Sequence, residues 1–179
     1  MIEDMLTNKC NFSSVKPALV ALPYPEIKVK ERNKAYADLL AFDYCGQSSE
    51  MTSTMQYINQ EGRMSGNKCE IAQIILGIAI AEMIHLQKLG ELICLLGGTL
   101  DFTTKNSTGR QVMWSPSNVK IGGDIRNMLW ADIEGERIAI NQYRRHMNMI
   151  KDKNSNQILA RIIKDEEYHI MLLRALLDK

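Results

Sequence analysis

Cysteine is scarce in this sequence, and none of its four copies lies in a CxxC pair: Cys10, Cys45, Cys69 and Cys94. Such wide spacing argues against a zinc site or a disulfide framework, so we expect reduced thiols in a cytoplasmic protein. The first ten residues include acidic side chains and lack an apolar core, so no signal peptide is predicted.

An excess of charge of one sign is also missing. The 179 residues include 22 basic and 21 acidic side chains, a formal net charge of +1 with no block of like charges. We therefore expect no nucleic-acid partner. The longest apolar run is interrupted by Glu82, His85, Lys88 and Glu91, so no membrane association is expected either. The length is typical of one domain.

Proline is rare after the first 30 residues, which hold three of the four prolines. Proline disfavours helix, so residues 1–30 are predicted to form an extended N-terminal arm. Apolar residues at steps of three and four then predict four helices, roughly at 33–60, 67–96, 123–150 and 154–178. A polar connection of more than 20 residues separates the second from the third. The sequence predicts an all-α four-helix bundle over 31–179, in which one long crossover joins two antiparallel helical hairpins.

What the sequence does contain is a repeated ExxH motif inside apolar helices. Glu82 with His85, and Glu166 with His169, lie on the stripes of their helices that otherwise carry Ile and Leu. Residues three apart are neighbours on a helix, so each pair can bind one metal ion. Buried carboxylates and imidazoles are costly unless they are paired or metal-bound. Buried ion pairs are the alternative interpretation.

The other two helices each supply one glutamate, Glu50 and Glu136. On the third helix, Glu136 follows the apolar line, whereas Glu134 is about 200° away, and Asp132 is expected close to Glu136. Four carboxylates balance two divalent ions, and mixed oxygen and nitrogen ligands suit iron or manganese. We therefore predict two metal ions, Fe or Mn, bound by six residues: Glu50, Glu82, His85, Glu136, Glu166 and His169.

Three further residues are candidates for supporting this site. Tyr57 and Tyr143 each follow their helix's glutamate by seven residues, so both point inward. They either hydrogen-bond to the site or pack across the bundle, and packing is the preferred interpretation. Asp165 either bonds the free ring nitrogen of His85 or is a solvated surface acid. Other polar residues of these helices are expected at the surface: Glu134, Arg137 and His146.

Residues 33–178 resemble the ferritin-like superfamily, and most of all its rubrerythrin-like and manganese-catalase-like branches. The resemblance lies in four segments: "SEMTSTMQYINQ", "IAIAEMIHLQKLGELICLLGG", "DIEGERIAINQYRRH" and "ARIIKDEEYHIMLLRALL". It implies that the six residues are ligands of a di-iron or di-manganese site. Two features depart from rubrerythrins: the chain lacks the CxxC pairs of a rubredoxin site, and Ile133 stands where a second glutamate often precedes Glu136.

The resemblance implies an oxidoreductase that acts on hydrogen peroxide, or on dioxygen and Fe(II), through these six residues as its catalytic set. Two alternatives stay open. One is a structural or spore-coat-type assembly protein with a metal-stabilised bundle, and the other is an iron-handling ferritin-like protein. A homo-oligomer is expected, with the arm and the Trp114-bearing crossover as candidate contacts.

Overall fold

The computed structural model describes residues 10–106 and 108–178, and these are mostly helical. The helices are α1 Lys34–Cys45, α2 Glu50–Met64, α3 Cys69–Leu95, α4 Ile125–Met149 and α5 Lys153–Leu177. α2 packs against α3, α4 packs against α5, and α3 contacts α5. The predicted pair of helical hairpins joined by one crossover is confirmed.

The prediction of one continuous helix over 33–60 is wrong, because the chain breaks between α1 and α2. Gly46 ends α1 by donating its N–H to Phe42 O, and a Cβ at this position would lie 2.5 Å from that oxygen. Ser49 then caps α2 by accepting the N–H of Thr52 at 3.3 Å. The break places Glu50 in the first turn of α2, where the helix dipole favours a carboxylate.

The crossover between α3 and α4 contains a short antiparallel hairpin and is fixed to α2. Strands β1 Thr103–Lys105 and β2 Gln111–Met113 pair, and a 3₁₀ turn follows at Pro116–Asn118. The indole N–H of Trp114 donates to Thr52 Oγ1 at 2.9 Å. The backbone N–H of Lys120 donates to Gln56 Oε1 at 3.0 Å. The long connection therefore covers one face of α2.

The apolar core consists of two clusters, one on each side of a buried polar centre. On α3, Ile78 belongs to one cluster and Leu89 to the other, with Glu82 and His85 between them. By length and composition alone, α3 could cross a membrane, the one such helix in the part of the chain described. In the bundle it is the central helix, with its inner face buried.

Residues 10–33 form neither helix nor strand and run against the bundle. Ala18 donates its N–H to Gly77 O at 2.8 Å, and Asn33 donates to Leu96 O at 3.0 Å. A side chain at position 77 would meet the carbonyl of Lys16 at 3.0 Å, so glycine permits this close approach. Residues 1–9 of the predicted arm lie outside the described residues.

The expectation of four reduced thiols is wrong, because Cys10 and Cys69 form a disulfide. The arm folds back on the bundle and brings Cys10 to the first residue of α3, across 59 positions of sequence. Spacing along the chain could not show this proximity. The free cysteines are Cys45, which is buried, and Cys94, which is exposed. Reduced cysteines therefore no longer support a cytoplasmic location, which stays a prediction.

Candidate metal centre

The structure brings all six predicted ligand residues together in the middle of the bundle. α2 carries Glu50, α3 carries Glu82 and His85, α4 carries Glu136, and α5 carries Glu166 and His169. Every one of these side chains is at most 3% exposed. Two ExxH motifs on adjacent helices, each facing the interior, produce this cluster. Glu134 is excluded from it, since its side chain is 58% exposed and pairs with Arg137.

The first group of candidate ligands surrounds the ring of His85. One ligand atom each from Glu50, Glu82, His85 and Glu166 lies within 4.8 Å of all the others. His85 Nδ1 is 3.5 Å from Glu50 Oε2, 3.4 Å from Glu82 Oε2 and 3.3 Å from Glu166 Oε1. Three carboxylate oxygens and one imidazole nitrogen are therefore close enough together to coordinate one metal ion.

The second group surrounds His169 and shares two glutamates with the first. It consists of Glu82, Glu136, Glu166 and His169, again within 4.8 Å. His169 Nδ1 is 3.1 Å from Glu82 Oε1, 3.5 Å from Glu136 Oε1 and 2.9 Å from Glu166 Oε2. Glu82 and Glu166 therefore direct one oxygen to each histidine, an arrangement that suits carboxylates bridging two ions.

Several of these buried ligand atoms have no hydrogen-bond partner among the described residues. They are Glu50 Oε2, Glu82 Oε1, both carboxylate oxygens of Glu166, and the Nδ1 atoms of His85 and His169. Unpaired buried polar atoms are destabilising, and a cation coordinated by them would remove that cost. The donor set, four carboxylates and two imidazoles, fits iron or manganese.

The electrostatics of the cluster favour added positive charge. Burial, helped by the charge of Glu82, raises the pKa of Glu50 to about 8. Burial and the charge of Glu82 also raise the pKa of Glu136 well above its usual value. Burial alone would lower the pKa of His85, but Glu166 and Glu50 outweigh it and raise that pKa. The pKa values of Glu82 and Glu166 are instead lowered: burial opposes this, but contacts with His85 and His169 outweigh it. The two shared glutamates are therefore the anions of the cluster, and their charge favours a cation.

The two tyrosines pack across the bundle, as preferred, and their hydroxyls also hydrogen-bond to the cluster. Tyr57 on α2 donates to Glu136 on α4, and Tyr143 on α4 donates to Glu50 on α2. Both rings are 2% exposed. Each hydroxyl holds one oxygen of a glutamate in the opposite half of the molecule. In Glu50 the other oxygen, Oε2, is the one that faces His85, whereas in Glu136 the same Oε1 accepts from Tyr57 and lies 3.5 Å from His169 Nδ1. A carboxylate oxygen has two lone pairs, so either glutamate can still contact an ion.

The two histidines are held by different partners on their outer nitrogens. His85 Nε2 lies 3.3 Å from Asp165 Oδ2, so the predicted contact is present. His169 Nε2 donates to the backbone carbonyl of Ala18 at 2.9 Å. These acceptors fix the proton on Nε2 and leave each Nδ1 lone pair free for an ion. The sequence did not predict the contact with Ala18, because every residue has a backbone carbonyl and residue type does not show which one is used.

Asp165 is tied to the arm as well as to His85. It accepts the N–H of Val20 at 2.8 Å and the hydroxyl of Tyr24 at 2.7 Å. Arg161 Nη1 lies 2.5 Å from its Oδ2. Burial opposes ionisation, but the hydrogen bonds from His85, Arg161 and Tyr24 outweigh it and hold the pKa of Asp165 below its usual range. Asp165 is therefore a buried anion.

Two other polar residues have partners on neighbouring helices that were not predicted. Asp132 is buried one turn before Glu136, but its partners are Gln56 Nε2 at 2.7 Å and Gln60 Nε2 at 2.9 Å on α2. The surface prediction for His146 is wrong, because its Nδ1 lies 2.7 Å from the buried carboxylate of Asp43 on α1. A helical pattern read one helix at a time does not reveal a partner on another helix.

Comparisons with known proteins point in the same direction as this geometry. The family described as "Ferritin-like domain" matches residues 47–179. A protein of Clostridium acetobutylicum named "Probable manganese catalase" is 27% identical over 173 residues, covering 86% of this chain and 75% of that protein.

Solved structures show the same architecture. KatB, a manganese catalase from Anabaena, superposes with a TM-score of 0.76 at 25% identity, covering 88% of this chain and 78% of that one. The bacterioferritin BfrA of Mycobacterium tuberculosis gives a TM-score of 0.66 at 25% identity, over 83% and 87% of the two chains. A Desulfovibrio desulfuricans bacterioferritin with a diiron site gives 0.68 at 22% identity, over 80% and 78%, and so supports the fold alone.

Proposed function

The chain belongs to the ferritin-like family, and on that premise we propose that it is a di-metal oxidoreductase that decomposes hydrogen peroxide. The observation that carries the proposal is the pair of four-ligand groups that share Glu82 and Glu166. Two similar proteins are manganese catalases by name. Manganese is therefore the first metal to test, and iron the second.

In this proposal, Glu50 and His85 would hold one ion, Glu136 and His169 would hold the other, and Glu82 and Glu166 would contribute to both groups. When bound, a pair of manganese or iron ions would supply the electron exchange that peroxide decomposition requires. The protein contributes position and charge. Tyr57 and Tyr143 fix the end glutamates, Asp165 and the Ala18 carbonyl orient the histidines, and the apolar clusters on either side exclude bulk water.

The decisive experiment measures metal content and peroxide decomposition together. We expect about two Mn or Fe ions per chain after metal-supplemented expression, with oxygen release from hydrogen peroxide. Glu136→Ala should lower the content to about one ion and abolish turnover, because it removes one end ligand. Glu134→Ala is the matched control, since it removes an exposed carboxylate from the same helix. Trace metal only in the wild-type protein would refute the proposal.

Iron handling is the second candidate, because the chain also shares its fold with bacterioferritins. It predicts Fe(II) oxidation by dioxygen without peroxide turnover, and a large assembly in size-exclusion chromatography. The assembly-protein alternative predicts equal and negligible turnover in wild type and Glu136→Ala. Self-association stays a prediction, and the same chromatography measures it.

A further inference from the structure

A cavity of about 240 Å³ lies between α2, α4 and the crossover, and it contains two residues of the centre, Tyr57 and Glu136. On the same measure, one water needs only about 10–15 Å³, so the cavity holds several small molecules. None of the residues lining the other cavities described is a candidate ligand. Among the cavities in the described part of the chain, this is therefore the one that reaches the centre.

The lining of the cavity changes from exposed to buried along its walls. Gln47 and Lys120 are exposed, whereas Tyr57, Asp132 and Glu136 are buried. The half-buried side chains of Ser53 on α2 and Ala131 on α4 belong to opposite walls. The cavity thus leads from the surface beneath the crossover to the Glu136 side of the centre.

Charge along the cavity disfavours ions of either sign. An approaching cation meets Lys120 at the exposed end, and an anion meets the carboxylate of Asp132 at the buried end. Most other lining groups are uncharged hydrogen-bonding side chains, including Ser49, Thr52 and Gln56. A small uncharged molecule that both donates and accepts hydrogen bonds suits such walls.

Asp132 has an unused acceptor at the buried end. Its Oδ1 accepts from Gln56 and Gln60, whereas its Oδ2 is buried without a hydrogen-bond partner among the described residues. The side chain is 1% exposed. This carboxylate marks the buried end of the cavity, one helical turn from Glu136.

We infer that this cavity is the path by which a small uncharged hydroperoxide, hydrogen peroxide in the first place, reaches the centre. The inference rests on the proposed function and adds the route that the substrate takes. It requires that blocking the cavity slow entry without removing the metal, because neither Ser53 nor Ala131 is a candidate ligand.

The test uses the full-length metal-loaded protein and fills the cavity from either wall. Ala131→Leu and Ser53→Leu add bulk, and Ser53→Ala removes the hydroxyl without adding any. Ala160→Leu is the matched control, because Ala160 is also half-buried on a bundle helix but does not line the cavity. Metal content and the thermal transition are measured for each variant.

We expect both filling variants to retain their metal and to lose roughly tenfold or more in kcat/KM for hydrogen peroxide, because entry limits association. Ser53→Ala and Ala160→Leu should keep the wild-type value. A second readout, independent of turnover, is the rate at which hydroxylamine, a small reductant that is uncharged at alkaline pH, changes the absorption spectrum of the oxidised centre. The filling variants should slow that change by a similar factor.

The two proposals fail in different ways. Protein without metal or peroxide turnover refutes the proposed function. The path is overturned if the protein is metal-loaded and active but both filling variants match Ala160→Leu in kcat/KM and in the rate of the hydroxylamine reaction. If one filling variant loses metal, the other decides, since they act from opposite walls.

Discussion

Asp132 is a buried carboxylate outside the candidate ligand set. Burial raises the pKa of Asp132 from 3.8 to about 6, although the amides of Gln60 and Gln56 partly oppose the shift. The folded protein therefore holds this proton more tightly than the unfolded chain does. Its contribution to stability is fully present below pH 3.8 and is lost as the pH rises through about 6.

Asp132→Asn should consequently stabilise the metal-free protein more at high pH than at low pH. One pKa unit corresponds to about 1.4 kcal/mol, so we expect the gain in the free energy of unfolding to grow by about 1–1.5 kcal/mol between pH 5 and pH 8. Urea denaturation in the presence of a chelator measures it at each pH. Glu134→Gln, which removes an exposed charge from the same helix, is the control. A gain that is constant with pH contradicts the prediction.

The described part of the arm, residues 10–30, carries or contacts the residues that hold the two histidines of the centre. It supplies the carbonyl of Ala18 to His169 and two hydrogen bonds to Asp165. The Cys10–Cys69 disulfide fixes its beginning to the first residue of α3. Closing a loop across 59 positions restricts the unfolded chain, which is how such a bond stabilises a fold.

Cys69→Ser should lower the free energy of unfolding by about 2–4 kcal/mol. Reduction of the wild-type protein with dithiothreitol should give a similar loss, and dithiothreitol should have no further effect on Cys69→Ser. Denaturant titrations under both conditions measure this. Cys94→Ser is the matched control, because Cys94 is a free cysteine in the same helix. Equal stability of Cys69→Ser and Cys94→Ser would contradict the assignment of the disulfide.

The sequence was sufficient to predict a helix and its inward face where a single apolar periodicity ran along the whole helix. The apolar stripes gave the helical hairpins and the faces of Glu82, His85, Glu166 and His169. The break before Glu50 was missed because the cap at Ser49 and the crowding at Gly46 are local features within a continuing apolar pattern. Hydrogen bonds between residues on different elements could not be predicted, because the periodicity of one segment carries no information about its neighbours in space. His146 with Asp43 and His169 with the Ala18 carbonyl are two such pairs.

At the scale of the whole molecule, the two halves of the bundle supply nearly equivalent ligand residues. They differ in the groups that hydrogen-bond to the outer nitrogens of the two histidines. Tyr57 and Tyr143 make crossed contacts to Glu136 and Glu50, so each half holds the other's end glutamate. Behind the histidines, however, His85 faces a carboxylate and His169 faces a neutral carbonyl. A carboxylate partner raises the basicity of a ligating imidazole more than a carbonyl does. The two ions should therefore bind with different affinities.

Metal removal should reveal this difference as two phases. We expect a chelator to extract first the ion held by Glu136 and His169, and later the ion held by Glu50 and His85. The affinities should differ by about 10–100-fold, the usual effect of such a partner. Asp165→Asn, which keeps the shape but removes the charge, should weaken the second ion and merge the phases. Asp178→Asn, at an exposed position beyond the end of the same helix, should leave both phases unchanged. Metal retained per chain at increasing chelator concentration is the measurement, and a single phase in both the wild-type protein and Asp165→Asn would show that the partners behind the histidines do not set the affinities.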